Sequence, residues 1–183
     1  IILAAQLLYK VKRPNGNDFT SYLISAKALI AGTNPYNTGS TFPYIYPLPL
    51  ALILVPFTFL PIWLSSLIWY FINAIALIFV LERLARILFP VWLERLANGI
   101  WLAAVVVTII TFDILQNHFI NGQVNLVVMA LLVLFFESSR RNEEFKASLF
   151  LSMAIAIKLV PMIFVGYLIF RKKIKSIVYV ALI

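Results

Sequence analysis

The chain has 183 residues, of which 63% are hydrophobic and 12% charged, with a net charge of +8 and no cysteine. A soluble domain carries about 45–50% apolar and roughly 25% charged residues, so a single water-soluble core is excluded. The missing cysteines exclude disulfides, thiolate chemistry and Cys-ligated zinc, while the basic residues stand in short clusters beside apolar runs, which excludes a nucleic-acid surface and points to membrane topology.

Ile1–Tyr9 reads as the tail of a first transmembrane helix, followed by the polar stretch Lys10–Asn17 with a Pro14-Asn15-Gly16 turn. Asp18 then opens an amphipathic pattern. Phe19, Tyr22, Leu23, Ala26, Leu29 and Ile30 recur at three- and four-residue steps opposite Thr20, Ser21, Ser25 and Lys27, with Asp18 as N-cap and Gly32 as the stop. This spacing predicts an interfacial helix. Thr33–Pro61 is rich in Pro, Tyr and Phe and has no charge; its apolar part, Leu48–Leu60, is short and broken by Pro49 and Pro56, so it reads as re-entrant or interfacial.

Ile62–Leu81 is long enough to cross a bilayer, ending at Glu82, Arg83, Arg86, Glu94 and Arg95. Asn98–Phe112 crosses back to a polar turn, Asp113–Asn125, without Lys or Arg. Val124–Phe136 returns to Arg140, Arg141 and Lys146. Basic and base-free loops alternate, so the segments 33–61 and 113–125 face outward under the positive-inside rule; Lys10, Lys12 and Arg13 run against it. Ala147–Phe170, flanked by basic clusters and broken by Lys158 and Pro161, reads as a helical hairpin with both ends inside, with a single span as the alternative. The predicted fold is all-α: a polytopic transmembrane helical bundle with interfacial helices in its first outer loop. Residues 1–183 read as the N-terminal part of one multi-helix transmembrane domain, since the chain opens without Met and closes inside an apolar run.

Asp18 and Asp113 are the only aspartates and fall on the same predicted face. A carboxylate beside a bilayer loses solvation, which raises its pKa and suits it to accept a proton from a hydroxyl; each also reads as an ordinary polar residue at a helix end. Gln116, Asn117, His118, Asn121, Gln123 and Asn125 share the outer turn, and Tyr36, Tyr44 and Tyr46 the loop before it. Amides with aromatic rings suit sugars, and serve equally for interhelical hydrogen bonds and an interfacial belt. His118, the only histidine, reads as a plain loop residue and excludes a His-cluster metal site in this part of the chain. Lys158 lies in an apolar run, where a cation marks a functional site with a lipid phosphate as counter-ion, or else snorkels or pairs elsewhere.

Taken in order, Asp18, Gly32-Thr-Asn-Pro-Tyr36, Phe42-Pro-Tyr-Ile-Tyr-Pro-Leu-Pro49, Asn121-Gly-Gln-Val-Asn125 and Ala156-Ile-Lys158 before Pro161 resemble the polyprenol-phosphate-sugar-dependent glycosyltransferases of family 87, with the GT-C fold. The resemblance implies a hexosyltransferase that moves a sugar, often mannose, from a polyprenyl-phosphate carrier to a glycolipid or glycan acceptor at the extracytoplasmic face of the plasma membrane, with inversion. It implies Asp18 as general base; the residue types point to Tyr36, Tyr44, Tyr46, Asp113, His118, Asn121, Gln123, Asn125 and Lys158 around the substrates. No cofactor is expected; a divalent metal is compatible with the wider fold, though the acidic residues here form no evident site. The expected partners are the lipid-linked donor, the acceptor and membrane lipid, not nucleic acid. A transporter or flippase for a lipid-linked or polar substrate is the rival class, and would concentrate its polar groups at the bilayer midplane.

Overall fold

The structure, a computed structural model, describes residues 2–11, 16–88 and 99–183. Lys12, Arg13, the Pro14-Asn15 pair, Glu94, Arg95 and Asn98 lie outside the described residues. Within them every regular element is helical: α1 Ile2–Val11, α2 Asp18–Ile30, α3 Leu48–Ile53, α4 Ile62–Leu88, α5 Gly99–Ile110, α6 Phe112–Asn121, α7 Asn125–Arg140, α8 Glu144–Ile157, α9 Ile163–Phe170 and α10 Ile174–Leu182.

The N-cap of α2 is Asn17, a correction to the expectation for Asp18. Asn17 is extended, its Oδ1 accepts from Thr20 N at 3.0 Å, and Thr20 Oγ1 accepts from Asn17 N at 2.8 Å, a reciprocal capping box. Asp18 is therefore the first helical residue, and its carboxylate is free of the capping task. At the other end Gly32 takes the left-handed conformation while its N–H bonds Leu29 O and Thr33 N–H bonds Ala28 O, the paired closure that a C-terminal glycine permits.

α2, read as an interfacial helix, is packed among its neighbours along its apolar side. Phe19, Tyr22, Leu23 and Ala26 pack with Leu50, Ala51 and Leu54, with Trp69 of α4, and with Val124, Val128, Ala154 and Ile157. Its small polar residues are buried too: Ser25 Oγ donates to Pro35 O at 2.9 Å, and Ser21 is 3% exposed. The segment 48–60 forms two short pieces, α3 and a 3-10 helix over Val55–Phe59, with a proline near the start of each and Leu50, Ala51 and Leu54 turned onto α2.

α4 has 27 residues, a length of about 40 Å at 1.5 Å per residue, and is the one described helix long and apolar enough to cross a membrane alone. Phe71, Ile75 and Ile78, spaced four and three apart, form an exposed apolar stripe along it. α6 and α7 meet at 115°. The polar stretch 113–125 is thus mostly the helix α6, where a loop was expected. α7 and α8 pack antiparallel, and after Lys158 a 3-10 turn at Val160–Met162 leads into α9. Lys158 reaches Asn125 at the start of α7, whereas Lys173, beyond α9, reaches Ser139 at its end. Residues 144–173 therefore leave one end of α7 and return to it, as the hairpin reading requires. The break falls at Lys158, whose backbone is extended, and Pro161 accounts for it, because a proline has no N–H to bond Ile157 O and its ring would clash with that carbonyl in a continuous helix.

Candidate active site

Three local devices bring Asp18 to the α6–α7 corner. The cap residue before it, Asn17, donates from Nδ2 to Ile120 O at 3.2 Å, tying the start of α2 to the end of α6. Gly122 closes α6 in the left-handed conformation, and a Cβ there would stand 2.7 Å from Phe19 Cβ, so only glycine allows α2 this close. Trp69 Nε1 donates to Gly122 O at 2.7 Å while its ring stacks on Phe19 at 5.5 Å, locking the corner from α4.

Gln123, next to Gly122, consequently lies against Asp18. A relay of side chains runs from there: Asn125 Nδ2 donates to Gln123 Oε1 at 2.9 Å, and Lys158 Nζ donates to Asn125 Oδ1 at 2.7 Å. The Lys158 ammonium also stands 5.8 Å from the centre of the Tyr46 ring, and Tyr46 packs edge-on against Tyr22 at 5.0 Å. Lys10, from α1, donates to Asn121 Oδ1 on the other side of the corner. Burial raises the Asp18 carboxyl above its ordinary value; the Gln123 hydrogen bond and then the charges of Lys10 and Lys158 pull it partly back. Burial likewise raises the Tyr22 and Tyr46 phenols, which therefore present neutral hydroxyls. The arrangement is a half-buried carboxylate between two cations, suited to taking up a proton beside a negatively charged leaving group.

The expected residues divide into three groups. Asp18, Gln123, Asn125, Lys158, Tyr46 and Asn121 converge on the corner. His118 does so as a buried residue of α6: Nε2 lies 3.0 Å from Asn73 Oδ1 of α4, which corrects the plain-loop reading. Tyr44 and Tyr36 act on the loop itself. Tyr44 is buried, with its hydroxyl donating to Pro47 O at 2.6 Å and accepting from Ala51 N at 3.1 Å, so it fastens the start of α3; Tyr36 donates to Tyr46 O at 3.2 Å and steadies that residue. Asp113 is exposed in the first turn of α6 and makes no hydrogen bond or ion pair among the described residues.

Sequence reasoning missed Asn73, Trp69 and Lys10 as members of the site. Asn73 carried a signal, an amide in the middle of an apolar run, and Lys10 was visible only as an exception to the charge rule. Among the described residues no three His, Asp or Glu side chains gather.

The sequence model of glycosyltransferase family 87 matches residues 44–183. The chain is 27% identical to a polyprenol-phosphate-mannose-dependent alpha-(1-2)-phosphatidylinositol mannoside mannosyltransferase of Mycolicibacterium smegmatis, over 90% of this chain and 40% of that protein. It is 26% identical to the protein of the same name from Mycobacterium tuberculosis, over 85% of this chain and 40% of the relative. The chain thus spans about two-fifths of the length of these curated relatives. No solved structure matches.

Proposed function

Because the chain belongs to glycosyltransferase family 87, we propose that it forms the N-terminal part of a multi-pass GT-C membrane mannosyltransferase, with a polyprenyl-phosphate-mannose donor and a phosphatidylinositol mannoside or related glycolipid acceptor at the extracytoplasmic face. The observation that carries this reading is the Asp18–Gln123–Asn125–Lys158 relay, which joins a desolvated carboxylate to a cation through two amides. The names of the two mycobacterial relatives support the donor and acceptor classes. The exposed apolar stripe of α4 supports the membrane setting, since in water it would cost about 25 cal/mol per Å².

In the proposed reaction the Asp18 carboxylate takes the proton of an acceptor hydroxyl as that oxygen attacks the anomeric carbon. The bond from that carbon to the phosphate oxygen breaks, its electron pair leaves with polyprenyl phosphate, and the configuration inverts. Only one displacement is needed, and the phosphate requires no general acid. Lys158 sits at the N-terminal end of α7, which receives no side-chain cap. Its ammonium and the positive end of the helix dipole therefore both favour an anion there, the position in which the departing phosphate would be stabilised. Lys10 would hold the other side of Asp18 through Asn121.

The test is transfer of radiolabelled mannose from polyprenyl phosphate to phosphatidylinositol mannoside by the purified full-length protein. The reading predicts turnover; translocation of the intact donor without transfer would move the protein to the transporter class.

A further inference from the structure

The face of α2 turned away from Asp18 borders a separate cleft of about 500 Å³. At about 100° per residue, Thr20, Leu23, Ile24 and Lys27 lie roughly 140–240° around the helix from Asp18, so the cleft and the carboxylate share a helix but not a chamber. Its polar lining is Lys27 with the hydroxyls of Thr20, Thr38, Ser40, Thr41 and Thr58. Lys27 and the hydroxyls of Thr38, Ser40 and Thr41 have no side-chain partner among the described residues, and no acidic residue lines the cleft. Thr58 Oγ1 donates to Val55 O at 2.7 Å and keeps lone pairs for an incoming hydroxyl. The apolar lining is Leu23 and Ile24 of α2 with Phe57, Leu60 and Ile62, and the last of these run onto the exposed Phe59 and Trp63 at the entry to α4.

An unpaired ammonium, a cluster of free hydroxyls and an apolar track leading outward complement one kind of molecule. We propose that this cleft binds the headgroup of an anionic phospholipid bearing hydroxyls, with its phosphate on Lys27, its hydroxyls on Thr38–Thr41 and its chains along Leu60, Ile62 and Trp63. Charge complementarity selects the occupant, because a zwitterionic headgroup would bring a second cation beside Lys27 with no carboxylate to receive it. The site rests on the membrane setting of α4 and lies on the side of α2 away from Asp18. It would anchor the helix that presents Asp18.

The experiment uses the full-length protein in nanodiscs containing a phosphatidylglycerol with a photoactivatable acyl chain, the labelled positions being mapped by peptide mass spectrometry. Wild type should be labelled within residues 57–64, Lys27→Gln should lose at least about tenfold of that labelling, and Lys27→Arg should restore it. Thr38→Val with Thr41→Val should lose several-fold at unchanged thermal midpoint. Asp18→Asn should label as wild type, which separates this site from the catalytic reading. Equal labelling by the phosphatidylcholine analogue, or undiminished labelling of Lys27→Gln, would overturn the proposal. So would displacement of the label by soluble glycerol 3-phosphate at a concentration comparable to the lipid's, since the site would then hold a free phosphate.

Discussion

Two lysines mark the two ends of α7, and their surroundings differ in kind. Lys173 donates to Ser139 O at 2.6 Å and Ser139 Oγ at 3.1 Å, a cation on the last carbonyls of a helix, where the dipole favours it. Near the same end Arg83 pairs with Glu137 at 3.4 Å, and Arg140, Arg141 and Arg171 are exposed. Lys158 stands at the opposite end, where the dipole of α7 opposes it although that of α8, whose C-cap it is, favours it; it is held by the Asn125 amide and the face of Tyr46, within electrostatic range of Asp18. The difference teaches how to separate structural from functional charge. A cation bonded to a carbonyl in the last turn of a helix is accounted for by stability, whereas one joined through two amides to a desolvated carboxylate is a candidate to meet an anionic substrate.

The largest expected effect tests the orientation on which the comparison depends. With no native cysteine, single cysteines can be placed at the exposed Asn37 and Lys175. An impermeant thiol reagent outside intact cells should label the first and spare the second; the reverse pattern would put the Asp18 end inside.

Next comes the neighbouring pair Asn17 and Asp18, whose roles are distinct. Asp18→Asn should lower sugar transfer by about 10²–10⁴-fold, the usual cost of losing a general base. Burial raises the folded-state pKa of Asp18 above its unfolded value, so its stabilising contribution is fully present below the ordinary carboxylate range and lost as pH rises through the folded value. At neutral pH the Asn variant should therefore melt at or above the wild-type temperature. Asn17→Ala should instead cost about 1 kcal/mol of stability by removing the cap. Transfer within a few-fold of wild type in Asp18→Asn would send the search for a base to Asp113, His118 or another part of the protein.

The two lysines give the third test. Lys158→Met should raise the apparent KM for the polyprenyl donor about tenfold. Because the Lys158 charge lowers the Asp18 pKa, the acid limb of kcat/KM should also move to higher pH in this variant. Lys173→Met should leave both unchanged and cost about 0.3–1 kcal/mol of stability. Equal kinetic effects from the two substitutions would erase the distinction between the ends of α7. The last test falls on the corner itself: Gly122→Ala should cost about 1–2 kcal/mol from its left-handed backbone alone, with an additional clash against Phe19, and activity should fall with stability as Gln123 shifts.

Much of this was legible in sequence because it depends on local chemistry. The long apolar run from Ile62 encodes α4, Gly32 ends α2, and Pro161 divides the stretch after Lys158, since chain length, a glycine's access to positive φ and a proline's missing N–H act without distant partners. The ordered motifs were likewise enough to place the chain in its family. The cap was misassigned by one residue because Asn17 and Asp18 are both good capping types, and only the backbone geometry, extended at Asn17, chooses between them. Ser21 and Ser25 lie on the polar side of the helical pattern yet are buried, because the chain from Pro35 to Leu54 folds over α2 and supplies partners that periodicity cannot foresee. The site depends most on tertiary structure. Residues 10, 18, 46, 73, 123 and 158 are far apart in the chain, and it is the corner at Gly122, with α1, α2 and α4 packed around it, that brings their charges and amides within a few ångströms, where desolvation and hydrogen bonding act on Asp18.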